Sequence, residues 1–473
     1  MSARPHSAVK TLVGNLRDAR IWQTRDLVNL GAFAREMRVL SAGATVGTGM
    51  GRLLLGMLAN LSMAYRPCPP GRDSAANMPR ILPHGRPRVA HVVDNPEHVS
   101  GVRTTLRGWV AAARREALPL EMLYCGASGE PPGFTPFDPV GIFEIGNYDN
   151  LRLPVPDVGA VARRLAQGCE LVHISTPGPM GLVAMAVARR LNLPVCGTYH
   201  TDFPSYAAAL TGQPAFGELA RSFMRWFYGR MDLVAVPSPS TRDQLIADGF
   251  DPDRLRVVGR GVDTSAFSPE WRDDALRASW NGGRRHQLLY VGRVSEEKNL
   301  RSLATAFRRL CERRDDTGLV IVGEGPFLRE MRDLTAGLPV HFAGVRRGED
   351  LARHYASADL FVFPSETDTF GVVAIEAQAS GTPVLVSAVG GPKDCVAHGR
   401  SGWVLDRMTP GALCDELHLR LNEPGRLSAM RGGARVHASA QTPEASFRAY
   451  WSFNREAHER GQPDAAAARR ACA

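Results

Sequence analysis

The 473-residue chain has eight cysteines, at 68, 125, 169, 196, 311, 395, 414 and 472, yet no C-x-x-C pair. Without that spacing neither a metal knuckle nor a disulfide framework is expected, and a reducing compartment fits best. Also missing is the opening of a secretory leader. The first forty residues are charged and polar, with no short apolar core ahead of a small-residue cleavage site, so a cytoplasmic chain is expected. A charge-free apolar run of membrane-spanning length is lacking too. The nearest approach, "LSAGATVGTGMGRLLLGMLANLSMAY" (40–65), is broken by Arg52 and by glycine, serine and threonine, which favours a packed or surface-lying helix over roughly 53–64. Long basic blocks are absent as well. The formal net charge is +9, but the arginines fall in scattered pairs such as Arg114-Arg115, Arg163-Arg164, Arg313-Arg314 and Arg346-Arg347, the pattern of solvated helix ends. With no helix-turn-helix, RNA-binding sheet motif or zinc spacing, no nucleic-acid partner is expected. The basic balance still admits phosphorylated small molecules and an acidic bilayer surface.

What is present is enough apolar sequence, 44%, over enough length to build two cores. The "GTGMG" at 47–51 has no strand before it and is not read as a dinucleotide fingerprint. Residues 66–88 are rich in proline, glycine and arginine and read as a linker. Beyond them strand and helix patterns alternate: "RVAHVVDN" (88–95), "VRTTLRGWVAAARREA" (102–117), "LEMLYC" (120–125), then "ELVHISTP" (170–177), "PMGLVAMAVARRLN" (179–192), "PVCGTYH" (194–200) and "DLVAVPS" (232–238). The pattern restarts at "HQLLYVGRV" (286–294) and runs through "GLVIVGEG" (318–325), "VHFAGV" (340–345), "DLFVFPS" (359–365) and "PVLVSAVGG" (383–391). Such alternation predicts α/β architecture with two doubly wound, Rossmann-like sheets facing across a cleft, ligands lying at the C-terminal strand ends. The expected divisions are an extension and linker (1–87), a first Rossmann-like domain (88–265), a second (266–440), a crossover helix (441–457) and a loose tail (458–473).

Chemistry concentrates in "FPSETDTFGVVAIEAQASGTPV" (361–382), which carries Glu366, Asp368 and Glu376, with Asp394 further on. A helix beginning near Phe370-Gly371 leaves amides of Thr369, Phe370, Gly371 and Val372 unpaired, an anion site by geometry and dipole. Gly371 allows a close ligand approach. At about 1.5 Å per residue, Glu376 lies on the order of 10 Å from Asp368. Two acceptors flanking an anion site suit a nucleotide-sugar, with hydroxyls at both ends and a pyrophosphate between. The plainer alternative is that Asp368 caps the helix and Glu376 pairs with a basic core residue; burial demands a partner for the carboxylate either way. "YVGRVSEEKNL" places Arg293 and Lys298 five apart after a strand, where two cations could clamp a diphosphate leaving group or be ordinary loop charges. "VGEGP" (322–326) and "FAGV", ending at Val345, are glycine-bearing strand ends that could meet a base or ribose. Gly101, entering a helix after "DNPEHVS", offers a second phosphate contact or a plain turn, and His200 in "GTYHTDFPSY" is a structural histidine or a sugar ligand.

At these residues the chain resembles the family-4 retaining glycosyltransferases of the GT-B fold, over about residues 88–457, through "GRVSEEKN", "VGEGP", "FPSETDTFGVVAIEAQASGTPV" and "GRGVDTSAF". The resemblance implies that Glu376, second acid of the family's E-x7-E pattern, binds the ribose. It gives Arg293 and Lys298 the diphosphate, the amides of Phe370 and Gly371 the donor sugar and phosphate, His200 the sugar's C6 hydroxyl, and Gly101 a phosphate contact. Asp368 stands where most members carry glutamate, one methylene shorter, and is the expected first acid because Glu366 would break the spacing. The activity implied is transfer of a hexose from a UDP- or GDP-sugar to an acceptor hydroxyl with retention. "YHTDFPSY" resembles members acting on lipids, so a membrane lipid acceptor and peripheral association with the inner face of the membrane are expected. The alternatives are a polysaccharide or polyprenyl-linked acceptor, or a same-fold epimerase or phosphorylase. Two carboxylates in one loop are thin coordination, so no metal and no other cofactor is expected.

Overall fold

The structure is a computed structural model that describes residues 86–94, 100–126, 132–145 and 151–461. The apolar 40–65 segment, the "GTGMG" stretch, most of the linker and the tail from 462 lie outside the described residues.

Two compact units emerge. One comprises the described residues up to Val236, Leu245–Arg256 and the described residues from Tyr450; the other comprises Pro237–Gln244 and Val257–Ala449. The last helix, Pro443–Arg460, therefore starts in the second unit and ends in the first.

The first unit is built on a seven-stranded sheet. Its strands are β1 (Val89–Val93), β2 (Leu120–Cys125), β3 (Phe134–Phe137), β6 (Leu171–Ile174), β7 (Val195–Thr198), β8 (Leu233–Val236) and β9 (Leu255–Val257), in the order β3-β2-β1-β6-β7-β8-β9. From β3 to β8 the pairings are parallel. Strands β4 (Pro139–Ile145) and β5 (Leu151–Pro156) form a separate antiparallel hairpin that the sequence reading passed over. Short runs of Val, Leu and Ile make the central strands, and β1, β6, β7 and β8 are buried at every position, as parallel strands covered on both faces must be. Helices Ser100–Arg115, Val158–Ala166, Pro179–Arg190 and Pro214–Tyr228 follow.

The second unit holds β10 (His286–Val291), β11 (Thr317–Val322), β12 (Val340–Gly344), β13 (Leu360–Phe363), β14 (Val384–Ser387) and β15 (Gly402–Leu405), ordered β12-β11-β10-β13-β14-β15 and parallel throughout. Strands β10, β11, β13 and β14 are wholly buried, and with the stripes of Leu300–Arg313 and Gly348–Ser357 they form one apolar core. In both sheets the order reverses at the first strand, between β1 and β6 and between β10 and β13. That reversal opens a crevice at the strands' C-terminal ends, where ligands of doubly wound folds sit. Two doubly wound parallel sheets in one chain are what the GT-B fold requires.

Candidate functional site

In the second unit the reversal point is lined by the loop after β10, carrying Arg293 and Lys298, and the loop after β13, carrying Asp368. Backbone bonds lock the neighbouring loops in a relay: Gly292 N donates to Val322 O, Val294 N to Glu324 O and Gly323 N to Gly344 O, each at 2.9–3.0 Å. Gly323 is essential to this approach, since a Cβ there would lie 1.9 Å from the Gly292 carbonyl oxygen and its φ is +136°. Val345, just past β12, is exposed at the same end of the sheet.

Two carboxylates are held in different ways. Asp368 accepts from Lys298 Nζ at 2.8 Å, and Lys298 is only 7% exposed. The sequence reading gave these two residues separate ligands, and the structure pairs them. Their loops are further joined by Thr367 Oγ1, which donates to Glu297 O at 3.3 Å. Glu366, by contrast, is exposed.

Glu376 pairs with no basic side chain among the described residues. It accepts a hydrogen bond at 2.9 Å from the phenol of Tyr355, a wholly buried residue of the Gly348–Ser357 helix. Burial pushes the Glu376 carboxyl up to about 7, against the opposing pull of the Tyr355 hydroxyl. Tyr355 was not anticipated: it falls in the apolar stripe of "LARHYASADL" and reads as plain core.

The helix after Asp368 begins later than expected, which corrects the anion-site prediction. It spans Val372–Ala379, with Gly371 at its N-cap in the left-handed region, φ +91°. Ala374 N already bonds to Gly371 O, so the first-turn amides are those of Gly371, Val372 and Val373 rather than Thr369 and Phe370. The cause is the glycine, whose positive φ turns the chain before a helix can start. Thr369 and Phe370 instead anchor the loop through their carbonyls: Thr369 O accepts from Thr241 Oγ1 at 2.9 Å, and Phe370 O from the Cys395 thiol at 3.2 Å. Asp394 accepts from the amide and hydroxyl of Ser240 at 2.8 and 2.9 Å. Under this loop lies the turn Gly390-Gly391, with Gly391 N bonded to Asp368 O at 2.8 Å.

One compositional signal for Lys298 is in the sequence. The chain has only three lysines, at 10, 298 and 393, against its many arginines. An ammonium is a compact point charge that faces a single carboxylate, whereas a guanidinium is a planar fork suited to bidentate pairing.

In the first unit His200 lies just past β7 and is buried, its Nε2 3.0 Å from Ser175 Oγ. Asp202 caps helix Phe203–Thr211, accepting from Ser205 N. Gly101 is in the first turn of Ser100–Arg115, while residues 95–99 ahead of it lie outside the described residues. The crevice end of β1 carries Asp94, 4% exposed, which accepts from the amides of Gly178 and Met180 at 3.0 and 2.7 Å and thereby fills the N-terminus of helix Pro179–Arg190. Burial raises its carboxyl to about 6. No trio of His, Cys, Asp or Glu suited to a metal ion occurs among the described residues.

Sequence profiles of two families match the chain: "Glycosyltransferase Family 4" over 99–266 and "Glycosyl transferases group 1" over 273–437. A GDP-mannose-dependent alpha-(1-6)-phosphatidylinositol monomannoside mannosyltransferase of Mycobacterium tuberculosis is 32% identical over 304 residues, which are 61% of this chain and 77% of that protein. The chain belongs to the family 4 glycosyltransferases. Within the family it is also similar to sulfoquinovosyl transferase SQD2 of Arabidopsis thaliana, 33% identical over 52% of this chain; the match spans about half, 48%, of the Arabidopsis protein's length. Among solved structures, Anabaena Alr3699/HepE in complex with UDP and glucose superposes with a TM-score of 0.59 at 18% identity, covering 75% of this chain and 95% of that one, a likeness of fold. Among the described residues no helix is long and apolar enough to cross a membrane.

Proposed function

We propose that the chain transfers a hexose from a UDP- or GDP-linked donor to the hydroxyl of a membrane lipid, with retention of the anomeric configuration. The observations that support this reading are a buried ammonium facing a carboxylate between the loops after β10 and β13, Lys298 with Asp368, and a second carboxylate on the helix that follows, Glu376, held by the buried phenol of Tyr355. In this proposal Glu376 accepts from the ribose hydroxyls, and Lys298 with Arg293 meets the diphosphate. Asp368 and the amides of Gly371 and Val372 meet the hexose and its phosphate, and His200 meets a hydroxyl of the transferred sugar. The departing diphosphate oxygen takes the acceptor's proton on the face where the new bond forms, while the C–O bond to phosphate breaks and the cations stabilise the charge gained. No metal takes part. The mannosyltransferase relative, whose name gives GDP-mannose as donor and a phosphatidylinositol mannoside as acceptor, supports the donor class and the lipid acceptor.

The test is incubation with UDP- and GDP-hexoses in the presence of either diacylglycerol vesicles or a free oligosaccharide. Nucleoside diphosphate should be released only when vesicles are supplied, with an α-linked glycolipid from an α-linked donor. Equal release with the oligosaccharide alone overturns the lipid acceptor, and an inverted anomer overturns retention.

A further inference from the structure

Behind His200 the first unit contains a continuous chain of buried polar side chains. His200 Nε2 is 3.0 Å from Ser175 Oγ; Ser175 Oγ is 2.5 Å from His91 Nε2; His91 Nδ1 is 2.7 Å from the hydroxyl of Tyr450. Ser175, His91 and Tyr450 are at most 1% exposed. They come from the end of β6, from β1 and from the last helix, so the chain runs from the sheet-reversal point across two strands to the far end of the sequence. Both flanks of the relay are fixed. His91 stacks on His173, ring centroids 4.2 Å apart at 12°, and His173 is itself tied by Asn454 at 2.8 Å and Thr198 at 2.7 Å. Burial lowers His173 to about 4, which keeps this stacked partner neutral. On the other side the Tyr450 ring stacks on Trp109 at 3.9 Å and 18°.

A hydrogen-bond chain through two imidazoles and a buried serine has two polarities that use the serine O–H within the chain, because each neutral ring carries one N–H and one lone pair; a third, in which both rings donate to Ser175 Oγ, spends that buried hydroxyl's proton on neither ring. A phenol donates far better than it accepts, since its oxygen lone pair is drawn into the ring. The polarity that uses Tyr450 as donor therefore prevails. Tyr450 donates to His91 Nδ1, His91 Nε2–H donates to Ser175 Oγ, and the Ser175 hydroxyl donates to His200 Nε2. The proton of His200 is left on Nδ1, the reverse of the Nε2–H form that a free neutral histidine side chain favours.

We infer that Tyr450, through His91 and Ser175, is a positioning residue that holds His200 in its Nδ1–H tautomer, so that the ring nitrogen not bonded to Ser175 presents an N–H and not a lone pair. The consequence for turnover rests on the proposed role of His200; the tautomer itself does not.

The experiment is nitrogen NMR of the full chain labelled at histidine, at pH 8, where an imidazole of ordinary pKa is neutral. The His200 signals are identified by their loss in His200→Gln. The unaltered protein should show His200 with its proton on Nδ1. In Ser175→Ala the signal should revert to the Nε2–H form, in Tyr450→Phe it should move to a mixture, and Ser175→Thr should keep the Nδ1–H form. Tyr450→Phe retains the ring stacked on Trp109, so the variant keeps that packing. A His200 already in the Nε2–H form, or one unmoved by both Ser175→Ala and Tyr450→Phe, overturns the inference. Donor turnover in Tyr450→Phe is then read separately, with kcat down on the order of tenfold and donor KM within about twofold. A changed tautomer with unchanged kcat supports the relay and counts against the sugar-binding role of His200, so the two failures are distinct.

Discussion

Replacing Tyr355 with phenylalanine deletes one oxygen and leaves the ring's edge contacts with Phe267 and Phe361 in place, so its effect isolates the hydrogen bond to Glu376. A hydrogen bond to a charged partner contributes about 1.5–3 kcal/mol. At about 1.4 kcal/mol per pKa unit its loss should lift the Glu376 carboxyl from about 7 by roughly one to two further units. The sign follows from linkage. Glu376 titrates higher in the folded chain than in the unfolded one, so its protonated form favours folding, and that stability is present below the unfolded carboxylate range and lost as pH rises through about 7. Because the Tyr355 hydroxyl favours the ionised form, its removal should cost little at pH 5, where Glu376 is protonated in both proteins, and about 2 kcal/mol at pH 9. For a unit of this size that is a fall in melting temperature of roughly 4–8 °C at pH 9. The assay is thermal unfolding of both proteins from pH 5 to pH 9, repeated in a Glu376→Gln background. There the pH-dependent part of the difference should vanish. A Tyr355→Phe penalty that is the same at both ends of the range would refute the coupling.

Lys298→Ala should reduce kcat for donor turnover by about 10²–10³-fold, the cost of losing one preorganised charge at a leaving group, measured by nucleoside diphosphate release. Gly391→Ala puts a Cβ 2.0 Å from the Thr369 carbonyl oxygen and should abolish the rise in melting temperature given by UDP or GDP, whereas Gly425→Ala, with nothing within 4 Å of the added atom, should leave it unchanged. Treatment with EDTA should leave turnover intact; a loss restored by magnesium or manganese would contradict the proposed division of charge between Lys298 and Arg293.

The two sheets were legible in the sequence because their strands are buried on both faces and so appear as unbroken apolar runs, such as "LLYV" in β10 and "LVIV" in β11. Strand β3 and the β4–β5 hairpin were not, since "FTPF", "PVGIFEI" and "LRLPVP" contain proline or glycine and lack a clean period. The acidic loop was found through spacing, but its partners were not. Tyr355 and Glu376 are 21 residues apart and lie on different helices, and nothing local distinguishes a phenol that packs from one that also donates. In the sequence His200 reads as a lone histidine, because Ser175 and His91 reach it only through strand order and Tyr450 only through the last helix, 359 positions along the chain from His91. The helix starts at Val372 because Gly371 adopts a left-handed φ, and a Cβ there would lie 3.1 Å from Pro392 Cγ, a neighbour 21 residues on that no local pattern records.

The glycine turn beneath the acidic loop bears on how this enzyme class could be redesigned. At 390 and 391 a single extra carbon would strike the carbonyls of Glu366, Asp368 or Thr369 within about 3 Å. The underside of the loop therefore has no room for variation. On the proposed placement of the sugar at this loop, a search for altered donor selection belongs on the open rim, at Glu366 and at Val389, where side chains already face solvent and a library can be built without disturbing the floor.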